Sequence, residues 1–219
     1  MIIEWLGHAA FLMTSKKDIK IVTDPYQSGS YAGAVSYDPI KLAPDIVTIS
    51  HSHPDHSYID SLAGKPEVIN KEGRFNIKGV SIKGITTYHD EQKGNARGNN
   101  VIFLFNIDDI NIVHLGDLGH QMDEELTKEL YGIDVLLVPV GGVFTINAKQ
   151  AQALINRVNP KITIPMHFKT EKLGFGIDSV ESFLRNTNFA VEKIDAQSVF
   201  IDKNSLSQDN KIIVLKHSH

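Results

Sequence analysis

The chain contains no cysteine, and this absence restricts the chemistry that it can carry. Without thiols there is no disulfide, no thiolate metal ligand and no cysteine nucleophile, so a metal site must use nitrogen and oxygen ligands. Long apolar runs are missing as well, and none approaches the roughly 20 residues that cross a bilayer. The start of the chain lacks the basic and apolar regions of an export signal. We therefore expect a soluble, cytoplasmic protein.

Positive charge is also scarce. The 22 Lys and Arg residues against 26 Asp and Glu residues give a net charge of -4, and no basic block stands out. Because sequence-independent binding of a nucleic-acid backbone depends on Lys and Arg contacts to phosphates, the composition argues against a nucleic-acid partner. The 219 residues are 42% hydrophobic and include no low-complexity or repeated segment. We expect one packed domain over residues 1–219.

Short runs of β-branched residues dominate the chain and predict strands. The predicted strands span 2–6, 11–14, 19–23, 45–49, 80–88, 101–107, 110–115, 135–138 and 162–165, with a late edge strand over 211–216. Asn147, three residues before Gln150, has the spacing of a helix capping box, and Asp178 is predicted to start a second helix in the same way. A third helix is predicted over 123–130 and a polar tail over 202–210. These elements predict sheets covered by helices.

The strongest chemical signal is the segment 51–56, His-Ser-His-Pro-Asp-His, directly after a predicted strand. Four nitrogen or oxygen ligands within six residues favour a metal site. Alternation along an extended chain puts His51 and His53 on one side, where both can reach one cation. Pro54 then turns the chain, so that Asp55 and His56 can face a second cation. A polar loop with incidental histidines would explain a lone histidine but not this spacing.

Metal-binding residue types recur after other predicted strands. His89 follows strand 80–88, Asp117 follows strand 110–115 and His167 follows strand 162–165. Loops at one edge of a sheet converge, and ligand sites in open α/β sheets favour the carboxyl ends of strands. We therefore expect the strand exits to gather one set of ligands. The predicted metal ligands are His51, His53, Asp55, His56, His89, Asp117 and His167.

This ligand set suits two divalent metal ions. A water shared by two cations has a pKa lowered to about 7, which gives a hydroxide at neutral pH without a Ser or Cys nucleophile. Asp55 and Asp117 are the candidate catalytic residues, because their carboxylates would hold this nucleophile. With both carboxylates and a hydroxide, the centre keeps about one positive charge, which attracts an anionic substrate group. Zinc is the default ion, and manganese, iron, nickel and cobalt suit the same ligands.

Two further residues are candidates for positions around the metal ligands or the substrate. His8 follows the first predicted strand and could orient substrate or a metal ligand, although a structural hydrogen bond is an equal alternative. Asp24 could accept a hydrogen bond from a ligating imidazole and fix its tautomer, or it could simply shape a turn. Near Asp117, His114 is predicted to be packed inside and His120 to lie on a rim loop.

Two loops are candidate walls of the cleft. The polar stretch 90–100 could be a mobile substrate loop in which Lys93 or Arg97 meets an anionic group. The stretch 26–37, with three tyrosines, is a second candidate wall. Solvated loops without a role explain both stretches as well. The C-terminal residues 217–219 are expected to be solvated.

The segment 51–56 resembles the His-x-His-x-Asp-His signature of the metallo-β-lactamase superfamily. Further segments resemble one branch of that superfamily, which contains small metal-dependent hydrolases, L-ascorbate-6-phosphate lactonase and the phospholipase D that cleaves N-acyl-phosphatidylethanolamine. These segments are Leu6-Gly7-His8-Ala9-Ala10, Thr23-Asp24-Pro25, His89, Leu115-Gly116-Asp117, Pro139-Val140-Gly141-Gly142 and Ile164-Pro165-Met166-His167.

The resemblance implies a metallo-β-lactamase-like α/β fold, a four-layer αββα sandwich. It also implies a dinuclear ligand arrangement: His51, His53 and His89 on one metal, Asp55, His56 and His167 on the other, and Asp117 bridging them. Flavo-diiron proteins have a carboxylate where this chain has His53, which argues against a redox di-iron site.

The function that we expect is metal-dependent hydrolysis. The metal-bridging hydroxide would attack an ester, lactone or phosphodiester bond of a small anionic substrate. Because the same hydroxide attacks phosphorus, a phosphodiesterase or nuclease acting on nucleotides or short oligonucleotides is an alternative. A non-catalytic metal-binding regulatory protein is another. The ligands fix the reaction class better than the substrate, and they leave the oligomeric state open.

Overall fold

A computed structural model describes residues 1–185, 187–206 and 210–219, and it contains two β-sheets with short helices. The strands are β1 (Ile2–Gly7), β2 (Ala10–Thr14), β3 (Lys20–Thr23), β4 (Ile46–Thr48), β5 (Glu67–Ile69), β6 (Gly73–Ile77), β7 (Val80–Tyr88), β8 (Asn99–Ile107), β9 (Ile110–His114), β10 (Val135–Pro139), β11 (Ile162–Met166), β12 (Ala190–Lys193), β13 (Ser198–Phe200) and β14 (Lys211–Val214). The helices are α1 (Ser30–Gly33), α2 (Glu124–Lys128), α3 (Ala148–Val158) and α4 (Val180–Leu184). Part of the predicted polar tail, 207–209, lies outside the described residues.

The two sheets contain six and eight strands. Their orders are β13-β1-β2-β3-β4-β5 and β12-β14-β11-β10-β9-β8-β7-β6. In the first sheet β1, β2 and β3 are antiparallel, whereas β3, β4 and β5 are parallel. In the second sheet β6 to β9 form antiparallel pairs, and β9, β10, β11 and β14 run parallel. Every helix among the described residues is too short or too polar to cross a bilayer.

Neighbouring residues of the six-stranded sheet point into two different cores. Ile21 and Ile46 belong to the main core, whereas Val22 and Val47 belong to a smaller core on the opposite face. This is the side-chain alternation that a strand buried on both faces requires. The smaller core is covered by apolar residues of the irregular segment 26–42. One outer layer of the sandwich is therefore built largely from non-helical chain.

The eight-stranded sheet is covered by helices on its outer face. Every residue of β10 and β11 is buried, because both faces of these parallel strands are covered. Such strands are mostly apolar in sequence, as these two are. Helix α3 buries an apolar stripe that joins the main core. At its start the Asn147 side chain accepts from the Gln150 N–H at 3.0 Å, and the Gln150 side chain accepts from the Asn147 N–H at 2.9 Å. The predicted capping box and the predicted sandwich are confirmed.

Three predictions about the C-terminal part of the chain are wrong. Strand β14 is not an edge strand, because the exposed strand β12 pairs with its free side. Helix α4 is capped by Ser179, not by Asp178, whose backbone N–H donates to the carbonyl of Gly141. Finally, His217 is not a solvated end: its Nε2 lies 2.7 Å from the Glu171 carboxylate.

Candidate metal centre

Six strand exits bring the predicted site residues together at one edge of the sandwich. These residues are His8 after β1, Asp24 after β3, the segment 51–56 after β4, His89 after β7, Asp117 after β9 and His167 after β11. Most of these side chains are buried, and His51 and His53 are partly exposed. The site therefore lies at the inner end of a cleft that solvent reaches from the side of residues 51–53.

The carboxylate of Asp117 lies at the centre of this group. Its Oδ2 is 3.2 Å from the Nε2 of His167, 3.3 Å from that of His56, 3.4 Å from that of His89 and 4.0 Å from that of His51. Burial alone would raise the pKa of Asp117, but the neighbouring His167 and His56 hold it well below the usual range. The carboxylate is therefore ionised at neutral pH and faces four imidazoles.

The imidazoles and carboxylates form two groups around Asp117, and a third group, Asp24, His51 and His56, lies behind them. In each group the candidate ligand atoms lie within 4.8 Å of one another. One group is His51, His53 and His89, and the other is His8, Asp55, His56 and His167. Apart from His8, these are the two ligand sets that the family resemblance implies. Neither His89 nor His167 points away from the centre.

Several buried atoms of the centre have no hydrogen-bond partner in the described part of the chain. They are His51 Nε2, His56 Nε2, His89 Nδ1, His167 Nδ1 and Asp117 Oδ1. Burial lowers the pKa of His51 to about 3, so this imidazole is neutral and its lone pair is available. Neutral imidazole nitrogens and ionised carboxylate oxygens are the form in which these groups bind transition metals. The residues therefore fit divalent metal ions.

Asp24 and Ser50 determine which nitrogens of two imidazoles face the centre. Asp24 Oδ1 accepts from the Ser50 N–H at 2.7 Å, and its Oδ2 accepts from the Ser50 hydroxyl at 2.5 Å and from His56 Nδ1 at 2.9 Å. Because the Ser50 hydroxyl donates to Asp24, the Nδ1–H of His51 at 2.9 Å donates to Ser50 Oγ. Both imidazoles therefore turn Nε2 toward the centre. Burial alone would lower the pKa of His56, but Asp117 and Asp55 raise it well above the usual range, so a metal ion would replace the proton on its Nε2.

His8 contacts Asp55 directly. Its Nε2 lies 3.1 Å from Asp55 Oδ2, and its ring centroid is 4.2 Å from that of His167. Burial lowers the pKa of His8 to about 4, so the neutral imidazole donates its Nε2–H to the carboxylate. The His8 carbonyl accepts from the indole Nε1 of Trp5 at 3.0 Å and from the His167 N–H at 3.1 Å. His8 is thus fixed through both its backbone and its side chain.

The backbone leading into His8 requires glycine. Gly7 has φ 125°, and a Cβ at this position would lie 2.6 Å from the Tyr37 ring. Tyr37 is itself fully buried in the smaller core. This close approach aims His8 at the site and leaves no room for a side chain.

Asn100 positions Asp117, and nothing in the sequence singles it out. Its Oδ1 accepts from the Asp117 N–H at 2.9 Å, and its Nδ2 donates to the Leu115 carbonyl at 3.0 Å and to Thr87 Oγ1 at 2.8 Å. Asn100 and Ser50 also pack so closely on Gly116 that a Cβ there would lie 2.4 and 2.5 Å from their side chains. The only signal is a polar residue at the start of a predicted buried strand.

Two other histidines lie outside the centre. The Nε2 of the buried His114 donates to the Ala9 carbonyl at 2.8 Å, and its Nδ1 accepts from the Gly116 N–H at 3.1 Å. His120 lies on a loop, where its Nδ1 is 2.9 Å from the Gln121 carbonyl. His114 is therefore a packed histidine with both ring nitrogens satisfied.

Comparison with known proteins gives consistent relatives. A family model described as beta-lactamase superfamily domain matches residues 2–167. A UPF0173 metal-dependent hydrolase from Methanosarcina mazei is 31% identical over 195 residues, which cover 77% of this chain and 83% of that protein. One from Thermococcus kodakarensis is 32% identical over 193 residues, which cover 77% of this chain and 84% of that protein.

Solved structures show the same likeness. A metallo-β-lactamase superfamily protein from Thermotoga maritima has 34% sequence identity and a TM-score of 0.80, over 98% of this chain and 97% of that one. The short form of human tRNase Z has 12% identity and a TM-score of 0.56, over 78% of this chain and 93% of that one. At 12% identity the likeness to tRNase Z is one of fold alone.

Proposed function

The chain belongs to the metallo-β-lactamase superfamily, and from this premise we propose that it is a metal-dependent hydrolase whose active site is the centre around Asp117. The observation that carries the proposal is the position of Asp117 Oδ2, 3.2 to 4.0 Å from the Nε2 atoms of four buried or half-buried histidines. The relatives from Methanosarcina mazei and Thermococcus kodakarensis, both named metal-dependent hydrolases, support it.

Two divalent ions would occupy the centre, with zinc as the default among the ions that suit these ligands. His51, His53 and His89 would hold one ion, Asp55, His56 and His167 the other, and Asp117 would be shared. When bound, such ions supply a water of lowered pKa and polarise a carbonyl or phosphoryl oxygen of the substrate.

The protein groups hold and orient the reacting atoms. Burial alone would raise the pKa of Asp55, but His56 and the hydrogen bond from His8 lower it, so Asp55 is ionised. Asp117 Oδ1, which has no partner in the described part of the chain, would accept a hydrogen bond from a bound water molecule and orient it. Asp24 and Ser50 keep the imidazoles of His56 and His51 turned with Nε2 toward the centre.

The substrate is proposed to be a small anionic molecule with an ester, lactone or phosphodiester bond, as in the branch that contains ascorbate-6-phosphate lactonase. The hydrolase domain is proposed to comprise residues 1–219 and to act in the cytoplasm on a small molecule. The centre itself suits this class, because two bound divalent ions would outweigh the charges of Asp55 and Asp117 and leave it positive.

The test combines metal analysis with parallel assays of a lactone, a thioester and bis-p-nitrophenyl phosphate. We expect the purified protein to bind up to about two transition-metal ions per chain and to hydrolyse at least one probe. Asp117→Ala should lower kcat at least about 100-fold while the circular dichroism spectrum is retained. Asp60→Ala, an exposed carboxylate near the ligand segment, is the control and should leave kcat unchanged.

Two results would contradict the proposal. One is clearly sub-stoichiometric metal under metal-replete conditions. The other is full activity in Asp117→Ala. Turnover of the phosphodiester alone would narrow the proposed substrates to phosphodiesters, and stoichiometric metal without turnover of any probe would favour a metal-binding protein that is not an enzyme.

A further inference from the structure

A cavity of about 520 Å³ lies beside the metal centre. His51 and His53 line one part of it, and Lys71, Asn70, Thr86 and Arg97 line another. This volume is within the range of about 300 to 1,000 Å³ that small-molecule sites occupy. Because two proposed metal ligands form its wall, a molecule in this cavity would contact the centre.

Arg97 is held at this cavity by an ordered loop. The Asp90 carboxylate accepts from the backbone N–H groups of Gln92 at 2.7 Å, Gly94 at 3.0 Å, Ala96 at 3.0 Å and Arg97 at 2.7 Å. Burial alone would raise the pKa of Asp90, but these four donors lower it. The stretch predicted as a mobile substrate loop is therefore folded around one carboxylate, which fixes the backbone of Arg97.

The guanidinium of Arg97 is supported by a row of aromatic rings that reaches the metal centre. Its Cζ lies 5.4 Å from the ring centroid of Phe144, which is 5.6 Å from that of Phe175. The Phe175 centroid is 5.4 Å from that of Tyr31, whose hydroxyl donates to Asp55 Oδ1 at 3.2 Å. The cation and Asp55 thus lie at the two ends of one aromatic wall.

The positive charge of the Arg97 guanidinium is available to a ligand. Among the residues that the structure describes, no acidic side chain forms a salt bridge with Arg97. Lys71 adds a second positive charge to the cavity lining, and Glu72 is an acidic residue of that lining. The Glu72 carboxylate accepts from Thr86 Oγ1 at 2.8 Å. The N–H groups of a guanidinium match the oxygens of a carboxylate or phosphate.

We propose that Arg97 determines specificity by binding an anionic group of the substrate, a carboxylate or a phosphate, while the scissile bond lies at the metal centre. The rest of the substrate would lie in the cavity between Arg97 and the two histidines, His51 and His53. This inference rests on the proposed hydrolase function. It narrows the substrate class to compounds with an anionic group separate from the scissile bond.

The kinetic test uses two probes with the same leaving group, p-nitrophenyl acetate and the p-nitrophenyl monoester of glutaric acid. They differ in whether the acyl part carries a distal carboxylate. Arg97→Gln should lower kcat/KM for the glutarate monoester about tenfold, mainly through KM, and for the acetate less than about twofold. Arg97→Lys should restore part of the loss. Lys65→Gln, which removes an exposed cation that does not line this cavity, is the control and should change neither value.

A binding measurement separates this inference from the proposed function. In zinc-loaded protein, the NMR signal of the Arg97 side-chain Nε–H should shift on titration with glutarate or inorganic phosphate, and the anion that shifts it at lower concentration identifies the preferred group. The signal of Arg157, whose guanidinium donates to the carbonyls of Met122 and Asp123, is the reference and should stay in place.

The outcomes are distinct. An Arg97 signal that neither anion moves, or an equal loss of kcat/KM on both esters in Arg97→Gln, overturns the role of Arg97 even if the protein is a hydrolase. A saturable shift of that signal in a protein that hydrolyses neither ester supports the anion site and counts against the proposed function.

Discussion

Asp24→Asn tests how strongly the residues behind the metal ligands control metal binding. The Asp24 carboxylate accepts three hydrogen bonds, from the Ser50 N–H, the Ser50 hydroxyl and His56 Nδ1. An asparagine has nearly the same shape, but one of its two terminal groups is a donor. In either amide orientation this donor faces a group that must itself donate, so at least one of the three hydrogen bonds is lost.

The expected loss of metal affinity in Asp24→Asn follows from the number of imidazoles that Asp24 orients. Loss of one outer hydrogen-bond partner typically lowers metal affinity by about 10- to 100-fold. Asp24 contacts His56 directly and reaches His51 through the Ser50 hydroxyl, so two imidazoles lose their orientation together. We therefore expect zinc affinity to fall by about 100-fold, near the upper end of this range, which corresponds to about 2.7 kcal/mol of binding free energy.

The assay is zinc competition against a chromogenic chelator, with wild type, Asp24→Asn and Asp45→Asn compared. Asp45 is a matched control, because its carboxylate also accepts a backbone N–H, that of Lys20 at 2.9 Å, but it precedes β4 whereas Asp24 faces the exit of β4. Asp45→Asn should bind zinc within about twofold of wild type. Equal affinities for wild type and Asp24→Asn, or an equal loss in both variants, would refute the reasoning.

Three further predictions concern stability. Asn100→Ala leaves the Asp117 N–H without its acceptor and removes one of the two donors to the Leu115 carbonyl, which keeps the Leu118 N–H, so urea denaturation should show a loss of about 1 to 3 kcal/mol in the free energy of unfolding; a loss below about 0.5 kcal/mol would be inconsistent. The Lys20 N–H and the Lys78 ammonium lower the pKa of Asp45 from 3.8, so its contribution is present above that value and is lost as the pH falls through the lower folded-state pKa. The stability difference between wild type and Asp45→Asn should therefore stay nearly constant above about pH 5 and shrink as the pH falls below 3.8, and a difference that is unchanged at low pH would argue against this pairing. Removal of metal with a chelator should lower the thermal midpoint, and added zinc should restore it, because ligands that bind only the folded state stabilise it; an unchanged midpoint would contradict a folded-state metal centre.

Much of the fold was predictable because local pattern and tertiary environment agree. The buried strand β10 is a continuous apolar run, β11 is interrupted only by Thr163, and the capping box at Asn147 is formed by residues three positions apart. The strands that the sequence did not predict, such as β12 and β6, are mostly exposed, and the apolar alternation in β6 is limited to Phe75 and Ile77. Pairing with a neighbouring strand, rather than their own composition, makes them strands.

The candidate ligands were predictable because residue type and position at a strand exit are both local. The residues around them were not. Ser50 and Asn100 act through hydrogen bonds to Asp24 and Asp117, which lie 26 and 17 positions away. Tyr31 reaches Asp55 from a turn in which its own φ is 51°. Such contacts depend on how distant segments meet, and no short sequence pattern encodes them.

Trp5 is the single tryptophan of the chain, and its surroundings have a practical consequence. The indole donates to the carbonyl of His8 and lies 4.9 Å, centroid to centroid, from the ring of Phe168, which directly follows His167. Tryptophan fluorescence therefore comes from one residue. Trp5 contacts the segment of His8 through a hydrogen bond and the segment of His167 through the ring of Phe168. We expect metal binding at this centre to change the emission of Trp5, which would report metal loading without a dye or an introduced label.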